Sequence, residues 1–179
     1  MALHHPRSCY RHWQVFLLSL LALASAQSQV PAAVSEAGSE EAQARIRFGK
    51  ELFSSKAACR FCHGWAGDGR GEAHSPGGAA DLRRSRLTRE GLLNVIACGR
   101  PGTSMPHFDA YAYDDGHCYG LRSNRDSSVI PPNPPHPLQP GEISAIVDYL
   151  LQDVLGKGSP TRAQCVEFFA DAAPCGSYP

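Results

Sequence analysis

The chain alternates three modest amphipathic stretches with long segments that cannot form regular structure, and this imbalance restricts its fold more than any other feature. From Ser39 to Ser54, Ala42, Ile46, Gly49 and Phe53 recur at helical spacing, with Ser39 placed as N-cap and Glu40 and Glu41 suited to the first turn. A second helix is predicted from Thr88 to Cys98, with Leu92, Leu93, Val95 and Ile96 as its apolar surface and Gly99 as its stop. The third runs from Gly141 to Leu155 and puts Ile143, Ile146, Val147, Leu150 and Leu151 on its buried side. Between them, residues 64–80 (GWAGDGRGEAHSPGGAA) are dominated by glycine, alanine and polar residues, and 100–120 are irregular. Residues 131–140 (PPNPPHPLQP) hold six prolines in ten positions, which predicts an extended, stiff and exposed strap. Three such helices make a poor core, and loops this long argue against a domain that fills its own interior. A large apolar group at the centre would supply what is missing.

The residues that would hold such a group stand at 59–63, Cys59-Arg60-Phe61-Cys62-His63. This C-x-x-C-H spacing is that of covalent c-type haem attachment. Two thiols three positions apart reach one edge of a porphyrin and add to its vinyl groups, and the next residue supplies an imidazole beneath the iron. A thiol–disulfide redox pair would require a thioredoxin-like α/β pattern, which this chain lacks. A zinc site would need two further ligands, typically a second close pair, and no second C-x-x-C exists. The expected cofactor is therefore one haem c, held by Cys59, Cys62 and His63.

The far side of the iron needs a ligand or stays open. Met105, followed by Pro106 in an irregular stretch, leads, because a thioether favours ferrous iron and raises the reduction potential. His107 and His74 are the rivals, and gap-filling in the core is the alternative role for Met105. His117 and His136 lie in polar surroundings and read as surface residues. Cys98 and Cys118 bracket Met105; a bridge between them would be worth about 3 kcal/mol on the chain-entropy account and would hold the thioether in place. Free thiols are the other possibility. Cys165 and Cys175 are left to pair behind the last helix.

The first residues read as a targeting segment. Arg7 and Arg11 are basic, 15–24 (VFLLSLLALA) is apolar, and Ala24-Ser25-Ala26 has the small residues of a cleavage site, the layout of a secretory signal peptide. The apolar run is about half of what a membrane span needs, so an uncleaved anchor is the lesser reading and no stable membrane insertion is expected after cleavage. The expected organisation is a signal peptide at 1–26, a flexible lead-in at 27–38, one domain at 39–156 and a tail at 157–179. The whole chain carries 17 basic and 17 acidic residues, and loss of Arg7 and Arg11 leaves 15 basic. That balance leaves no basic stripe for nucleic acid.

At these residues the chain resembles a class I cytochrome c over roughly 41–156. Gly49 and Phe53 are similar to the glycine and aromatic of that fold's N-terminal helix, Tyr149 to the aromatic on its C-terminal partner, and GTSMP at 102–106 to its distal ligand loop. The resemblance implies an all-α fold of three main helices and long loops wrapped around one haem. It also implies a proline carbonyl that orients the proximal imidazole, for which Pro76 is the positional match, in a longer glycine-rich loop than usual. Arg100, Trp65, Tyr111 and Tyr113 are candidate donors to the haem propionates, Arg100 first among them. CGRPGTSMPHFD at 98–109, with Ala112, Tyr113 and 118–120 (CYG), is similar to small bacterial cytochromes encoded beside quinoprotein alcohol dehydrogenases. The implied function is periplasmic one-electron transfer by a monomer between an exported dehydrogenase, such as a PQQ-dependent alcohol dehydrogenase, and an oxidase or another cytochrome. A haem enzyme or gas sensor with a dissociable Met105, and a fixed subunit of a larger complex, are the competing readings.

Overall fold

The computed structural model describes residues 32–179 apart from residue 76. The expected signal peptide, the first part of the lead-in and Pro76 lie outside the described residues. The segment from Ala37 to Pro179 forms one compact unit, and of the preceding unit only the first residues of a helix are described. The described elements are all helical, with no strand among them: α1 (Ala32–Ser54), α2 (Cys59–His63), α3 (Arg89–Cys98), α4 (Pro140–Tyr149) and α5 (Arg162–Phe169). Short 3-10 turns stand at Leu82–Arg84 and Ala173–Cys175, and a π-helical turn at Leu150–Val154 continues α4. The all-α class I architecture is thus present, with α1, α3 and α4 as its three main helices.

Capping residues explain most boundaries. The Thr88 hydroxyl accepts the Gly91 N–H at 3.2 Å and opens α3. Gly99 closes it at φ +66, where a Cβ would sit 2.8 Å from the backbone of Met105, Pro106 and His107. Glu142 accepts the Gln139 N–H at 2.8 Å at the start of α4, beside Pro140 in the first turn. The start of α1 is a correction. The helix begins at Ala32, not Ser39, because the residues there are mostly compatible with helix and Gly38 costs only about 1 kcal/mol, too little to stop it.

Gly49 decides how α1 meets α4. A Cβ at that position would overlap the Ala145 carbonyl and come within 3.0 Å of the Ile146 nitrogen, so only glycine permits the approach. One turn on, Phe53 meets Tyr149 edge to face with ring centroids 5.6 Å apart. Leu52, Leu92, Ile96, Ile143, Ile146 and Val147 complete the buried cluster. Leu151 is a second correction. It is 36% exposed while Val154 is 1% exposed, because the π-turn advances the register and rotates the last turn. Asp148, on the same helix but buried, is paired by Arg45 of α1 at 2.6 Å and by Arg89 of α3, which ties all three helices at one carboxylate.

The proline strap departs from a wholly exposed segment. Pro131 and Leu138 are buried, the His107 N–H donates to the Pro132 carbonyl at 3.3 Å and the Leu138 N–H to the Phe108 carbonyl at 2.9 Å. An extended chain leaves its backbone groups free for such pairing, and its one large apolar side chain plugs the core. Cys98 is joined to Cys118 (Cα–Cα 5.5 Å) and Cys165 to Cys175 (5.6 Å). The tail also contains α5, opened by a reciprocal cap in which Thr161 accepts from the Gln164 N–H and Gln164 from the Thr161 N–H.

The helix crossing is testable. Gly49→Ala is expected to lower unfolding stability by about 1–3 kcal/mol, since backbone atoms on both sides must move. Gly38→Ala, with open space around the added carbon, is expected to be neutral or stabilising by up to about 1 kcal/mol. Denaturant unfolding of the two variants measures both.

Candidate functional site

Ala58 turns the chain from α1 into α2 in the left-handed region, at φ +49, and so presents Cys59, Cys62 and His63 on one short turn. Burial pushes the Cys59 thiol up to about 12 and raises that of Cys62 as well. Both are neutral thiols, the reverse of the lowered pKa that marks a thiol–disulfide exchange nucleophile. His63 is held below its ordinary pKa, first by burial and secondarily by the charge of Arg100. Its Nδ1 stands 2.9 Å from the Ala80 carbonyl oxygen. A carbonyl can only accept, so Nδ1 carries the proton and Nε2 is left with a free lone pair, the form a metal-binding imidazole takes.

These residues wall a crevice with two lobes. The outer lobe, of about 430 Å³, is lined by Cys59, Cys62, His63, Arg100, Met105 and Phe108, with small residues at its mouth. The inner lobe, of about 270 Å³, shares Cys59, His63, Arg100 and Met105 and reaches in to Phe53, Leu92, Ile146 and Leu150. Together they fall within the roughly 300–1,000 Å³ of cofactor sites. Haem fits the groups that line the crevice: two thiols, a free imidazole nitrogen, a thioether, apolar walls and one guanidinium.

The candidates separate cleanly in space. Met105 lines both lobes, and its loop is pinned by the Cys98–Cys118 pair and by the bond from the Arg100 N–H to its carbonyl at 3.3 Å. His107 is buried elsewhere, its Nδ1 2.9 Å from the Asp109 carbonyl and its ring edge-on to Tyr113 in a different cavity. His74, His117 and His136 are exposed. Pro76, the expected acceptor, lies outside the described residues; among the described residues the acceptor beside His63 Nδ1 is the Ala80 carbonyl. The glycine-rich loop delivers the accepting carbonyl four residues further along the chain, and a backbone oxygen leaves no side-chain trace to find it by.

Trp65 is also corrected. It lines neither lobe, and its Nε1 donates to the Tyr178 hydroxyl at 2.9 Å while its ring packs on Phe168 at 5.3 Å. Tyr111 is exposed, and the buried Tyr113 spends its hydroxyl on the Cys98 carbonyl. Arg100 alone of the four donors faces the crevice.

What Trp65 does instead is support the proximal loop. Arg70 lies 4.6 Å over the Tyr178 ring and donates to the Ser177 carbonyl at 3.4 Å. The buried Arg83 donates to Ala66 and to Lys157, joining the loop to the start of the tail. Between these contacts the Gly69 N–H donates to the His63 carbonyl at 2.8 Å. A Cβ on Gly69 would be 2.9 Å from the Ala79 carbonyl and 3.1 Å from the Asp81 nitrogen. Gly69 therefore stands directly against the peptide segment that carries the acceptor for His63.

Residues 44–118 match the family model described as cytochrome C oxidase, cbb3-type, subunit III. No curated protein and no solved structure matches the chain. The matched stretch runs from α1 through the attachment motif and the Met105 loop to Cys118, and a fold of this kind implies covalently bound haem. The segment 44–118 is accordingly a c-type cytochrome domain.

Proposed function

We propose that this chain is a periplasmic monohaem cytochrome c that carries single electrons from an exported dehydrogenase to an oxidase or another cytochrome. The observation that carries the reading is the shared wall: His63, with Nε2 free, and Met105 line both lobes of one crevice. Haem c, when bound there, supplies a one-electron ferric/ferrous couple. Cys59 and Cys62 would hold it through thioether bonds, the free Nε2 of His63 would bind its iron, and the Met105 thioether would serve as the second protein ligand. Arg100 would pair with a propionate, and Phe53, Leu92 and Ile146 would exclude water from the ring.

With His63 and Met105 both serving as ligands, the iron would be left to one-electron transfer and would offer no site to a substrate. The pinned Met105 loop favours this over an enzyme or sensor with a dissociating thioether. Among the described residues no helix is long and apolar enough to cross a membrane. Export through cleavage after Ala26 and oxidation of both cysteine pairs belong to the same reading. A PQQ-dependent alcohol dehydrogenase is the proposed donor, resting on the likeness of the 98–120 string.

Produced with haem maturation machinery and exported, the protein is expected to give a c-type pyridine haemochrome. Its intact mass should equal residues 27–179 plus one haem, less four hydrogens for two bridges. Colourless material with the mass of bare polypeptide would overturn the reading.

Met105→Ala is expected to lose the thioether-to-iron charge-transfer band and to let the ferrous form bind carbon monoxide. Its potential should fall by on the order of 100 mV, within the roughly 0.8 V that axial ligands span. A variant as inert to carbon monoxide as the parent would exclude Met105 as ligand.

Gly69→Ala should push the Ala80 segment away from His63. A weaker bond at Nδ1 makes the imidazole less basic and favours ferrous iron, so the potential should rise by on the order of tens of millivolts. Gly120→Ala meets a comparable φ of +72 in open space and should lose about 1 kcal/mol of stability with no change in potential. Spectroelectrochemistry of the pair separates the bond to His63 from backbone strain.

A further inference from the structure

A second cavity, of about 400 Å³, lies between the segment that follows Met105, residues 123–130 and the start of the proline strap. It shares no lining residue with either lobe of the crevice. One wall is His107, which is only 6% exposed. Its Nδ1 stands 2.9 Å from the Asp109 carbonyl, which can only accept, so that nitrogen carries the proton. Among the described residues nothing hydrogen-bonds to Nε2, and its lone pair is left to the cavity. A nitrogen so deeply placed costs free energy while it lacks a donor.

The other polar groups around this cavity are also acceptors that the fold leaves unused. Asp109 and Asp115 are engaged by His117 and by the backbone N–H groups of Tyr111 and His117. Asp114, between them in sequence and in the cavity wall, has no such partner for its carboxylate among the described residues. Arg122 does not neutralise it, because its guanidinium donates to the Asp114 and Asp115 backbone carbonyls. Tyr113, Ile130 and Pro131 give the cavity apolar sides. An anion would meet the Asp114 carboxylate without a counter-charge. A metal ion would want a third ligand here, and the one such cluster among the described residues, Cys98, His117 and Cys118, lies elsewhere.

We propose that this cavity binds a primary ammonium group carried on a short hydrocarbon stem. Its N–H groups donate to the Asp114 carboxylate and to His107 Nε2, and the stem lies against Tyr113, Ile130 and Pro131. The occupant bridges two segments, since His107 follows the Met105 loop and Pro131 opens the strap. The assignment stands independently of the electron-transfer reading.

The probe is n-butylamine at about pH 8, where an alkylamine is still protonated. It is titrated into the haem-loaded protein, kept ferrous, and followed through backbone amide shifts. Saturable binding is expected, with Kd on the order of 1–10 mM and shifts centred on residues 107–114 and 123–133. Butanol, which lacks the charge, should bind at least about threefold more weakly, and butyrate more weakly still. Asp114→Asn should weaken butylammonium about three- to fivefold, the scale of a solvent-exposed ion pair. His107→Gln should weaken it about fivefold. Asp114 is exposed, so its variant carries the test even if the buried His107→Gln does not fold. Glu167→Gln makes the same charge change on α5, outside the cavity wall, and should leave the affinity unchanged. Nα-acetyl-lysinamide, the second arm, offers the same ammonium on a peptide. Tighter binding than butylammonium assigns the site to a lysine side chain, and weaker binding assigns it to a free amine. No saturation by about 100 mM, butanol or butyrate binding as well as the amine, or an affinity untouched by Asp114→Asn would overturn the proposal.

Discussion

The arrangement depends on the place where α1 and α4 touch backbone to backbone, at Gly49 and Ala145. Because no side chain separates the helices there, Phe53 reaches Tyr149 and the end of α1 is carried to the rim of the crevice. The chain then needs one left-handed residue, Ala58, to deliver Cys59, Cys62 and His63 to the same wall. A crossing a few ångströms wider would move the attachment residues away from the face that Met105 occupies. The Asp148 carboxylate reinforces the crossing with partners from α1 and α3. Both arginines are partly exposed, so solvent screens the attraction, yet removing either leaves part of a buried charge uncompensated.

The segments that bring His63 and Met105 to the crevice are held by different means. On the His63 side, support is layered: Ala80 accepts from the imidazole, Gly69 backs the Ala80 segment, and Arg70, Arg83 and Trp65 fasten the glycine loop to the tail. On the Met105 side, the loop has no helix of its own and leans on the end of α3, where the Phe108 and Asp109 N–H groups donate to the Ile96 and Ala97 carbonyls, each at 3.1 Å. Its anchors are Cys118, the close approach of Gly99 to residues 105–107, and the proline strap paired with His107 and Phe108. In both cases long-range contacts replace the local hydrogen bonds that regular structure would have provided.

How much of this could be read in the sequence follows from where each signal resides. The attachment motif, the helical faces of Phe53 and Ile146 and the glycine at 49 were legible, because side-chain type at fixed spacing carries the information. Ala80 was not, since its function lies in a backbone oxygen that any residue possesses. Leu151, expected on the buried side, is turned outward because a π-turn shifts the register, and nothing in the residues announces it. Trp65 looked like a haem neighbour from its position two residues after His63. Its partner, Tyr178, is 113 residues away, beyond the reach of any local pattern.

The tail follows from the same economy. A glycine-rich loop can bring its carbonyl close to the imidazole only because it lacks side chains, and that same lack leaves it without a core of its own. Stiffness must come from outside, and Trp65 provides the handle: a large ring on which Phe168 and Tyr178 pack, with Arg70 over the latter. The Cys165–Cys175 pair ties the short helix that presents Phe168 to the segment that ends in Tyr178. Loop and tail are therefore two halves of one device, in which the flexibility needed to place a backbone oxygen is offset by an aromatic clasp near the far end of the chain.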